Sequence, residues 1–407
     1  MSDPQPLETS RQHADVWLVA VALALLCAGL VMVLSASQAI SYLYYHSSFY
    51  LFFRQVAFAA LGLVGMVVAS RVDYHLLRRW APLGFAAAVL LMLLVLVPGI
   101  GANSYGAQRW ISLGPLGTVE PSELLKLMGI LYMSHWVASR EGKLDNFTDG
   151  FLPFGLISAG VVAILALQRD LGTSIVLTGI LLAIYFTGGA PKRYLALLIL
   201  TMVGAAVALV GLENYRMQRL TIYLHPFSDP FGNTYQPFMG LVALGSGGIN
   251  GVGLGHSVQK YQWLPQAHTD FIFAIIGEET GLIGCTLLIA GFVLLAARGY
   301  RAAMRAPDRY GVMVAAGITT WITFQTLINM GVVTDTLPIT GVPLPFVSSG
   351  GTSLAVTLTA VGVLFNISGQ GIRSGGRSRR THAAADSGRR DGGAPVPGAG
   401  SGAGVSG

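Results

Sequence analysis

The stretch Lys260-Tyr-Gln-Trp-Leu-Pro-Gln-Ala-His-Thr-Asp270-Phe-Ile-Phe-Ala-Ile-Ile-Gly-Glu-Glu-Thr-Gly281 joins a polar, aromatic segment to the start of a long apolar run. Its first half contains a proline and is predicted to be a loop, whereas its second half is predicted to open a membrane helix. Asp270 lies at the junction. A carboxylate at the mouth of a membrane helix is costly unless it has a partner or a chemical role. Helix capping by Thr269 or Asp270 is the alternative interpretation.

The composition indicates a polytopic membrane protein. Of the 407 residues 53% are hydrophobic and 11% are charged, whereas a soluble domain has about 25% charged residues. The net charge of +6 does not indicate a nucleic-acid partner, because the basic residues fall in short loops between apolar runs and in the tail. Cys27 and Cys285 both lie in apolar runs, which indicates neither a disulfide framework nor a metal site.

The apolar runs predict an all-α fold with about ten transmembrane helices, since a bilayer requires ~20 apolar residues per span. Between helices 7 and 8 the sequence predicts a large extracytoplasmic loop, residues 213–268. Residues 1–14 are predicted to be a cytoplasmic segment, 15–370 the membrane domain and 371–407 a disordered cytoplasmic tail. The predicted spans are about 14–37, 50–70, 80–98, 121–138, 150–167, 170–189, 192–212, 269–297, 310–333 and 349–369.

Lysine and arginine positions predict the orientation in the membrane. With the N-terminus in the cytoplasm, roughly 18 basic residues fall inside and roughly 5 outside, as the positive-inside rule requires. Both termini are then cytoplasmic, and Asp270 faces the outer side of the membrane.

Further polar residues converge on the same predicted outer side. Glu123 and Lys126, in Pro121-Ser-Glu-Leu-Leu-Lys126, open the fourth helix and can pair because they are three residues apart. Asp170 begins the sixth helix, and Ser348-Ser-Gly-Gly-Thr-Ser353 begins the tenth. A membrane scaffold needs no such cluster, although a set of helix caps and one structural ion pair is the alternative interpretation.

The glycine-rich stretch Gly245-Ser-Gly-Gly-Ile-Asn-Gly-Val-Gly-Leu-Gly255 lies in the predicted external loop. It does not have the G-x-G-x-x-G spacing and follows no predicted strand, so nucleotide binding is excluded. Close-packed loop backbone is the prediction for this stretch.

Motifs along residues 15–370, in this order, resemble those of the SEDS family, the bacterial shape, elongation, division and sporulation proteins. They are Gly106-Ala-Gln-Arg109-Trp-Ile, Glu120-Pro-Ser-Glu123-Leu-Leu-Lys126, Asp170-Leu-Gly-Thr173, Tyr235-Gln236, Gly253-Leu-Gly-His-Ser-Val-Gln-Lys260, His268-Thr-Asp270-Phe-Ile-Phe273, Gly277-Glu-Glu279 and Leu344-Pro-Phe-Val-Ser-Ser-Gly-Gly351. Three positions depart from the family pattern: Ser349 replaces the usual Tyr, Arg169 the usual Pro and Glu120 the usual Gln.

The resemblance implies a peptidoglycan glycosyltransferase with ten membrane helices. Its substrate is lipid II, an undecaprenyl-pyrophosphate disaccharide-pentapeptide, polymerised at the outer face of the bacterial cytoplasmic membrane. The acidic residue that the family holds essential falls on Asp270. The implied partners are a class B penicillin-binding protein transpeptidase and other divisome proteins, with no nucleic acid.

The implied chemistry assigns Asp270 as the catalytic base that takes the proton of a sugar hydroxyl. Positive charge is needed at the leaving pyrophosphate, for which Arg216 and Arg219 are additional candidates. The predicted substrate-binding residues are Arg109, Glu123, Lys126, Asp170, Gln236, Lys260, His268, Thr269 and Ser348. The sequence shows no ligand set for a metal, so no cofactor is assigned, and a divalent cation (Mg²⁺ or Mn²⁺) between Asp270 and the pyrophosphate stays open.

Three alternatives remain at this point. Val97-Pro-Gly-Ile-Gly101, Leu224-His-Pro-Phe-Ser-Asp-Pro230 and the long tail resemble the division members of the family more than the elongation members, which implies a septal role over an elongation role. A lipid II flippase would also have many helices and a polar cavity, but it would need polar groups along the path to the inner side. A structural subunit that only recruits a partner would not need the outer polar cluster.

Overall fold

The computed structural model describes residues 14–99, 101–104, 107–112, 114, 117–211, 214–225 and 227–370. The chain divides into two units, Met1–Gly371 and Ile372–Gly407, and the described residues all belong to the first. Nearly all of the predicted N-terminal segment 1–14 and the whole predicted tail 371–407 lie outside the described residues.

The described residues form helices over most of their length. Seven helical segments are long and apolar enough to cross a membrane, and Leu171–Thr187 is apolar but shorter. Each predicted span falls on one of the longer helices, which confirms the helical membrane fold, while the number of crossings stays a prediction. The helices are α1 Val16–Tyr45, α2 Tyr50–Arg71, α3 Tyr74–Val95, α4 Pro121–Ala138, α5 Leu152–Leu167, α6 Leu171–Thr187, α7 Lys192–Gly211, α8 Asn214–Leu224, α9 Tyr235–Gly247, α10 Ile272–Arg305, α11 Arg309–Val333 and α12 Gly351–Gly369.

Two regions differ from the predicted all-helical pattern. Between α3 and α4 the chain forms a three-stranded antiparallel sheet of β1 Gly101–Ser104, β2 Ala107–Ser112 and β3 Thr118–Val119. Strands this short carry too little hydrophobic alternation to be recognised in a sequence. The predicted external loop contains two helices, α8 and α9, so the region is more ordered than a plain loop.

Helix α10 is interrupted just after it begins. Gly281 has φ 64° and ψ −163° inside it, a conformation that glycine adopts without steric cost. The glycine-rich stretch packs onto this break, and the Val252 N–H donates to the Glu278 carbonyl at 2.9 Å. A β-carbon on Gly251 would lie 2.2 Å from the Glu279 carbonyl oxygen. The prediction of close-packed loop backbone is therefore confirmed.

The segment between α11 and α12 is buried although it has no regular secondary structure. Val342, Leu344 and Phe346 are each at most 5% exposed. Two amides of α11 satisfy its carbonyls: Gln325 donates to the Pro343 oxygen at 2.8 Å, and Asn329 donates to the Val342 oxygen at 2.8 Å. Irregular backbone inside a membrane protein requires such internal partners. This segment lies against the junction that carries Asp270.

Candidate active site

The backbone carbonyl of Asp270 is held by a hydrogen bond, whereas its side chain makes none to the described residues. Its carbonyl oxygen accepts a hydrogen bond from Asn329 Nδ2 at 2.8 Å. The carboxylate is only partly buried and makes no hydrogen bond to any described residue. Helix α10 has Phe271 at its N-cap position, with no side-chain capping bond, so the capping interpretation of Asp270 is wrong. A β-carbon on Gly341 would lie 3.5 Å from Asp270 Oδ2, so the carboxylate faces the buried segment before α12.

The electrostatic surroundings of Asp270 are mixed. Burial raises the pKa of this carboxyl to about 6, while Arg109 and Arg219 lower the pKa and Asp170 raises it. The carboxylate is consequently ionised for the most part at neutral pH. It is also more basic than an exposed aspartate, as a general base requires.

Arg219 reaches this site from α8, the short helix that the sequence did not predict. Its Nη1 donates to the Ile339 carbonyl at 2.8 Å, which docks α8 on the segment that covers Asp270. The side chain of Arg216, the other basic candidate on this helix, lies outside the part of the chain that the structure describes.

Arg109 and Asp170 come together although they are far apart in sequence. Arg109 Nη1 lies 3.4 Å from Asp170 Oδ1, and Arg109 Nη2 donates to the Arg169 carbonyl. Asp170 also caps α6 by accepting the Thr173 N–H at 3.1 Å. Asp170 Oδ2 and Arg109 Nε are buried without a partner, so the pair retains hydrogen-bonding capacity.

Arg169, which stands where the family usually has proline, has an unusual backbone conformation. This residue has φ 61°, which the proline ring cannot adopt. The usual proline would therefore require a different turn before α6.

The predicted ion pair between Glu123 and Lys126 is present. Lys126 Nζ donates to Glu123 Oε1 at 2.9 Å and to Gln325 Oε1 at 2.9 Å, and both charged residues are 1% exposed. The same Gln325 oxygen accepts the Trp321 Nε1–H at 2.8 Å. Gln325 was missed as a functional residue, although Gln325 and Asn329 stand four apart in an apolar helix and therefore share a face.

Glu120, the third departure from the family pattern, stands at the N-cap position of α4. Burial raises its pKa to about 8; Glu123 and Asp170 also raise this pKa, and Lys126 and Arg109 lower it. A raised pKa favours the protonated form, which has the same zero charge as the glutamine usual at this position.

Lys260 is placed differently from the prediction. Its ammonium group donates to the Gly255 carbonyl at 2.6 Å, to Ser35 Oγ at 3.0 Å and to Glu279 Oε1 at 3.0 Å. All three of its N–H donors are used inside the protein, and Lys260 is 4% exposed. Lys260 therefore connects the external loop to α1 and α10 through hydrogen bonds. These bonds do not support the predicted contact of Lys260 with substrate.

Ser348 and Thr269 hold each other's segments in place. Ser348 Oγ donates to the Thr269 carbonyl at 2.6 Å and accepts the Leu344 N–H at 2.7 Å. The Thr269 hydroxyl donates to Gln266 Oε1 at 2.9 Å. Ser348 is 4% exposed, so it positions the loop around Asp270, and its predicted contact with substrate is not supported.

The remaining predicted residues, His268 and Gln236, also lie on or against this loop. Burial lowers the pKa of His268 to about 4, with a further lowering by Arg54, so the imidazole is neutral at physiological pH. Gln236 Nε2 donates to the Pro265 carbonyl at 3.3 Å, and this contact is exposed. The predicted contacts of His268 and Gln236 with substrate stay predictions.

Among the described residues, no three His, Cys, Asp or Glu side chains gather as they would around a metal ion. A divalent cation at Asp270 would therefore take most of its ligands from the substrate or from water.

The fold and the site define a polytopic helical membrane protein in which a carboxylate just before a long helix makes no hydrogen bond to the described residues. The chain belongs to the family of cell cycle proteins that includes FtsW, RodA and SpoVE, whose profile matches residues 16–371. This match confirms the resemblance deduced from the motifs.

Two relatives cover nearly the same part of the chain. A probable peptidoglycan glycosyltransferase FtsW of Geobacter metallireducens is 42% identical over 357 residues, which are 88% of this chain and 95% of that one. Stage V sporulation protein E of Bacillus subtilis is 41% identical over 363 residues, which are 89% of this chain and 99% of that one.

Solved structures show the same fold. A chain described in the structural coordination of polymerization and crosslinking by a peptidoglycan synthase complex matches with TM-score 0.71 and 29% identity, over 87% of this chain and 97% of that one. The rod shape determining protein RodA of Thermus thermophilus matches with TM-score 0.66 and 26% identity, over 88% of this chain and 98% of that one.

Proposed function

We propose that this chain is a peptidoglycan glycosyltransferase that polymerises lipid II into glycan strands for septal cell-wall synthesis. The observation that carries the proposal is Asp270, whose carboxylate has no hydrogen bond among the described residues and is approached by two arginines. Relatives at about 40% identity that are named probable peptidoglycan glycosyltransferases FtsW support the reaction class and the septal role.

In the proposed reaction, the oxygen of the GlcNAc 4-hydroxyl attacks C1 of MurNAc in a second lipid-linked chain. Asp270 takes the proton of this hydroxyl during the attack. The new bond joins that oxygen to C1, and the bond between C1 and the pyrophosphate oxygen breaks with its electron pair. Undecaprenyl pyrophosphate leaves as the anion. Proton removal by a positioned carboxylate makes the weakly nucleophilic hydroxyl competent.

The cations divide into two groups by their partners. Arg109 and Arg219 are close enough to Asp270 to lower its pKa, and we assign them to the developing charge of the leaving pyrophosphate. Lys126 donates to Glu123 and Gln325 inside the protein, so we assign it to positioning α4 against α11. Asp170 orients Arg109 through their ion pair.

The decisive experiment compares glycan-strand formation from labelled lipid II by purified wild type and by Asp270→Asn. We expect the variant to lose about 10²–10⁴ in rate, because one general base contributes that much. Asp335→Asn is the matched control, since this aspartate has φ 56°, which asparagine adopts readily, and follows α11 on the same predicted side. A folded Asp270→Asn variant that makes strands at the wild-type rate would refute the assignment and favour the flippase or the scaffold.

The proposed setting is the bacterial inner membrane with both termini in the cytoplasm. Ser246→Cys and Ser374→Cys, each in a Cys27→Ala, Cys285→Ala background, test it with an impermeant thiol reagent on intact spheroplasts. We expect labelling at position 246 and protection at position 374. The opposite pattern would invert the proposed topology.

The proposed partner is a class B penicillin-binding protein. The structural match to a chain of a peptidoglycan synthase complex supports this proposal, as do the exposed aromatic residues Phe231 and Trp263 of the external region, which are 90% and 56% exposed. Gentle detergent extraction and affinity capture of the full chain are expected to recover such a transpeptidase. Its absence from every preparation that retains polymerase activity would refute an obligate complex.

A further inference from the structure

The ends of three long helices meet at a place remote in the chain from every residue assigned to the reaction. Helix α1 begins, and helices α10 and α12 end, at this place. The Asp15 N–H donates to Ser368 Oγ at 3.1 Å, and Arg298 Nη1 lies 3.5 Å from Asp15 Oδ2. All three helices are long and apolar enough to span a membrane, so their common end lies at a membrane–water interface.

A cavity of about 320 Å³ opens between these helix ends. Arg298, Arg301 and Arg305 line it, and their spacing of three and four residues puts them on one face of α10. Asp15 is the one carboxylate among the described residues of the lining. The lining therefore has an excess of two positive charges.

The arginines of this cavity differ in whether they have a partner among the described residues. Arg298 pairs with Asp15, whereas Arg301 and Arg305 are exposed and have no hydrogen-bonding or ionic partner among the described residues. Two guanidinium groups one helical turn apart present planar forks of donors that match the oxygens of a phosphate. A positive charge that only fixes the orientation of a membrane protein needs no cavity.

Two features at the start of α1 also suit a phosphate group at a membrane surface. The Asp15 side chain makes no capping hydrogen bond to α1, although its carbonyl accepts the Leu18 N–H at 3.1 Å. The Val16 and Trp17 N–H groups therefore keep their capacity to bind an anion. Trp17 lines the cavity and is 62% exposed, and a tryptophan at the end of a membrane helix is typical of the headgroup region of a bilayer.

We infer that this cavity binds the phosphodiester headgroup of an anionic phospholipid, with Arg301 and Arg305 as its principal contacts. Basic pockets between the ends of membrane helices recognise lipids of this class. The acyl chains remain in the bilayer around α1 and α10. The inference goes beyond the proposed glycosyltransferase activity and requires no substrate at Asp270.

The test uses the full chain purified in detergent and native mass spectrometry with phosphatidylglycerol or phosphatidylcholine of identical acyl chains. We expect wild type to retain phosphatidylglycerol preferentially. The double substitution Arg301→Gln/Arg305→Gln is expected to weaken this binding about 10–30-fold, since each basic residue near an anionic lipid contributes about 1 kcal/mol.

The matched control is Arg71→Gln/Arg79→Gln, which makes the same change of charge at two exposed arginines that do not line the cavity. Its affinity for phosphatidylglycerol is expected to stay within about twofold of wild type. An equal loss in both double variants, or equal affinity of wild type for the two lipids, would overturn the proposal.

A third variant separates lost binding from lost folding. Asp15→Asn removes the carboxylate that competes for Arg298, so phosphatidylglycerol binding is expected to become tighter, a gain that misfolding cannot produce. Unchanged or weaker binding would contradict the proposal. Inorganic phosphate and glycerol phosphate are added as competitors; displacement of the lipid by either one at equal concentration would identify a soluble phosphate as the ligand and overturn the lipid assignment.

Discussion

Two charged sites, Glu123–Lys126 and Asp270, lie at the predicted outer ends of membrane helices, and they are built in opposite ways. The Glu123–Lys126 pair is 1% exposed, and its ammonium group is bonded to both Glu123 and Gln325. The Asp270 carboxylate is partly exposed and makes no hydrogen bond to any described residue. In the first site the ammonium group has two internal acceptors, whereas in the second the carboxylate accepts no hydrogen bond from the described residues.

The difference separates stability from chemistry. A buried charge that is paired inside the protein contributes to holding helices together, and removing its partner leaves it with an uncompensated cost of desolvation. A carboxylate without an internal hydrogen bond, whose ionised form is disfavoured by burial despite two nearby arginines, contributes little to holding the fold together, so its position requires another reason, such as a reaction. The following predictions test this division.

The largest effect on stability is expected for Lys126→Met. Without the ammonium group, the buried Glu123 carboxylate has no compensating charge, and about 3–5 kcal/mol of stability is lost. Thermal unfolding in detergent is expected to show a strongly lowered Tm. Adding Glu123→Gln to this variant removes the stranded charge and is expected to restore most of the loss.

The control for this prediction is an exposed pair of similar length. Arg309 Nη2 lies 2.9 Å from Glu141 Oε1, with both side chains 61% exposed. Arg309→Met is expected to lower stability by less than about 1 kcal/mol, because solvent screens such pairs. Equal Tm shifts in Lys126→Met and Arg309→Met would contradict the structural role assigned to Lys126.

A smaller loss of stability is expected for Gln325→Leu. The substitution removes an acceptor used by Lys126 and Trp321 and the donor to the Pro343 carbonyl. Leaving these buried groups unsatisfied costs about 1–3 kcal/mol. Because Pro343 belongs to the segment against Asp270, we also expect kcat to fall while KM for lipid II changes little. Wild-type kcat in a destabilised variant would show that Gln325 only stabilises the fold.

The sequence was sufficient for the parts of this molecule that depend on local patterns. Apolar runs of membrane length correspond to the long helices because burial in lipid leaves few alternatives for the backbone. The pairing of Glu123 with Lys126 followed from their spacing on one helix face. The position of Asp270 just before a helix start was also apparent from the chain alone, while its place on the outer side stays a prediction.

Contacts between distant segments could not be obtained in this way. Lys260 was expected to face substrate, but Ser35 and Glu279, 225 and 19 residues away, complete its hydrogen bonds. The docking of Arg219 on the Ile339 carbonyl depends on a short helix whose polarity gives it no membrane signature. The sheet that carries Arg109 likewise depends on pairing between short strands. Such features arise from tertiary packing, which overrides local propensity.

The smallest expected effect concerns the pH dependence set at Asp270. Burial raises the pKa of this carboxyl to about 6, and the ionised form is the competent base. The rate of polymerisation is therefore expected to fall about tenfold per pH unit below this pKa and to level off above it. Because the folded state disfavours ionisation, the stabilisation associated with the protonated carboxyl is lost as the pH rises through about 6. Asp270→Asn is consequently expected to be at least as stable as wild type at pH 7.5.

Arg219→Gln sharpens this prediction because it changes the charge near Asp270 without changing the carboxyl itself. Arg219 lowers the pKa of Asp270, so removing the guanidinium is expected to move the acidic limb of the kcat/KM profile to higher pH. Arg219→Lys retains the charge and serves as the control, with a limb near that of wild type. A profile of kcat/KM against pH between 5 and 8, measured at constant ionic strength, distinguishes these outcomes. The acidic limb could instead stay in place in Arg219→Gln while kcat/KM falls equally at every pH. That result would show that Arg219 does not influence the ionisation of Asp270 and acts on the leaving pyrophosphate alone.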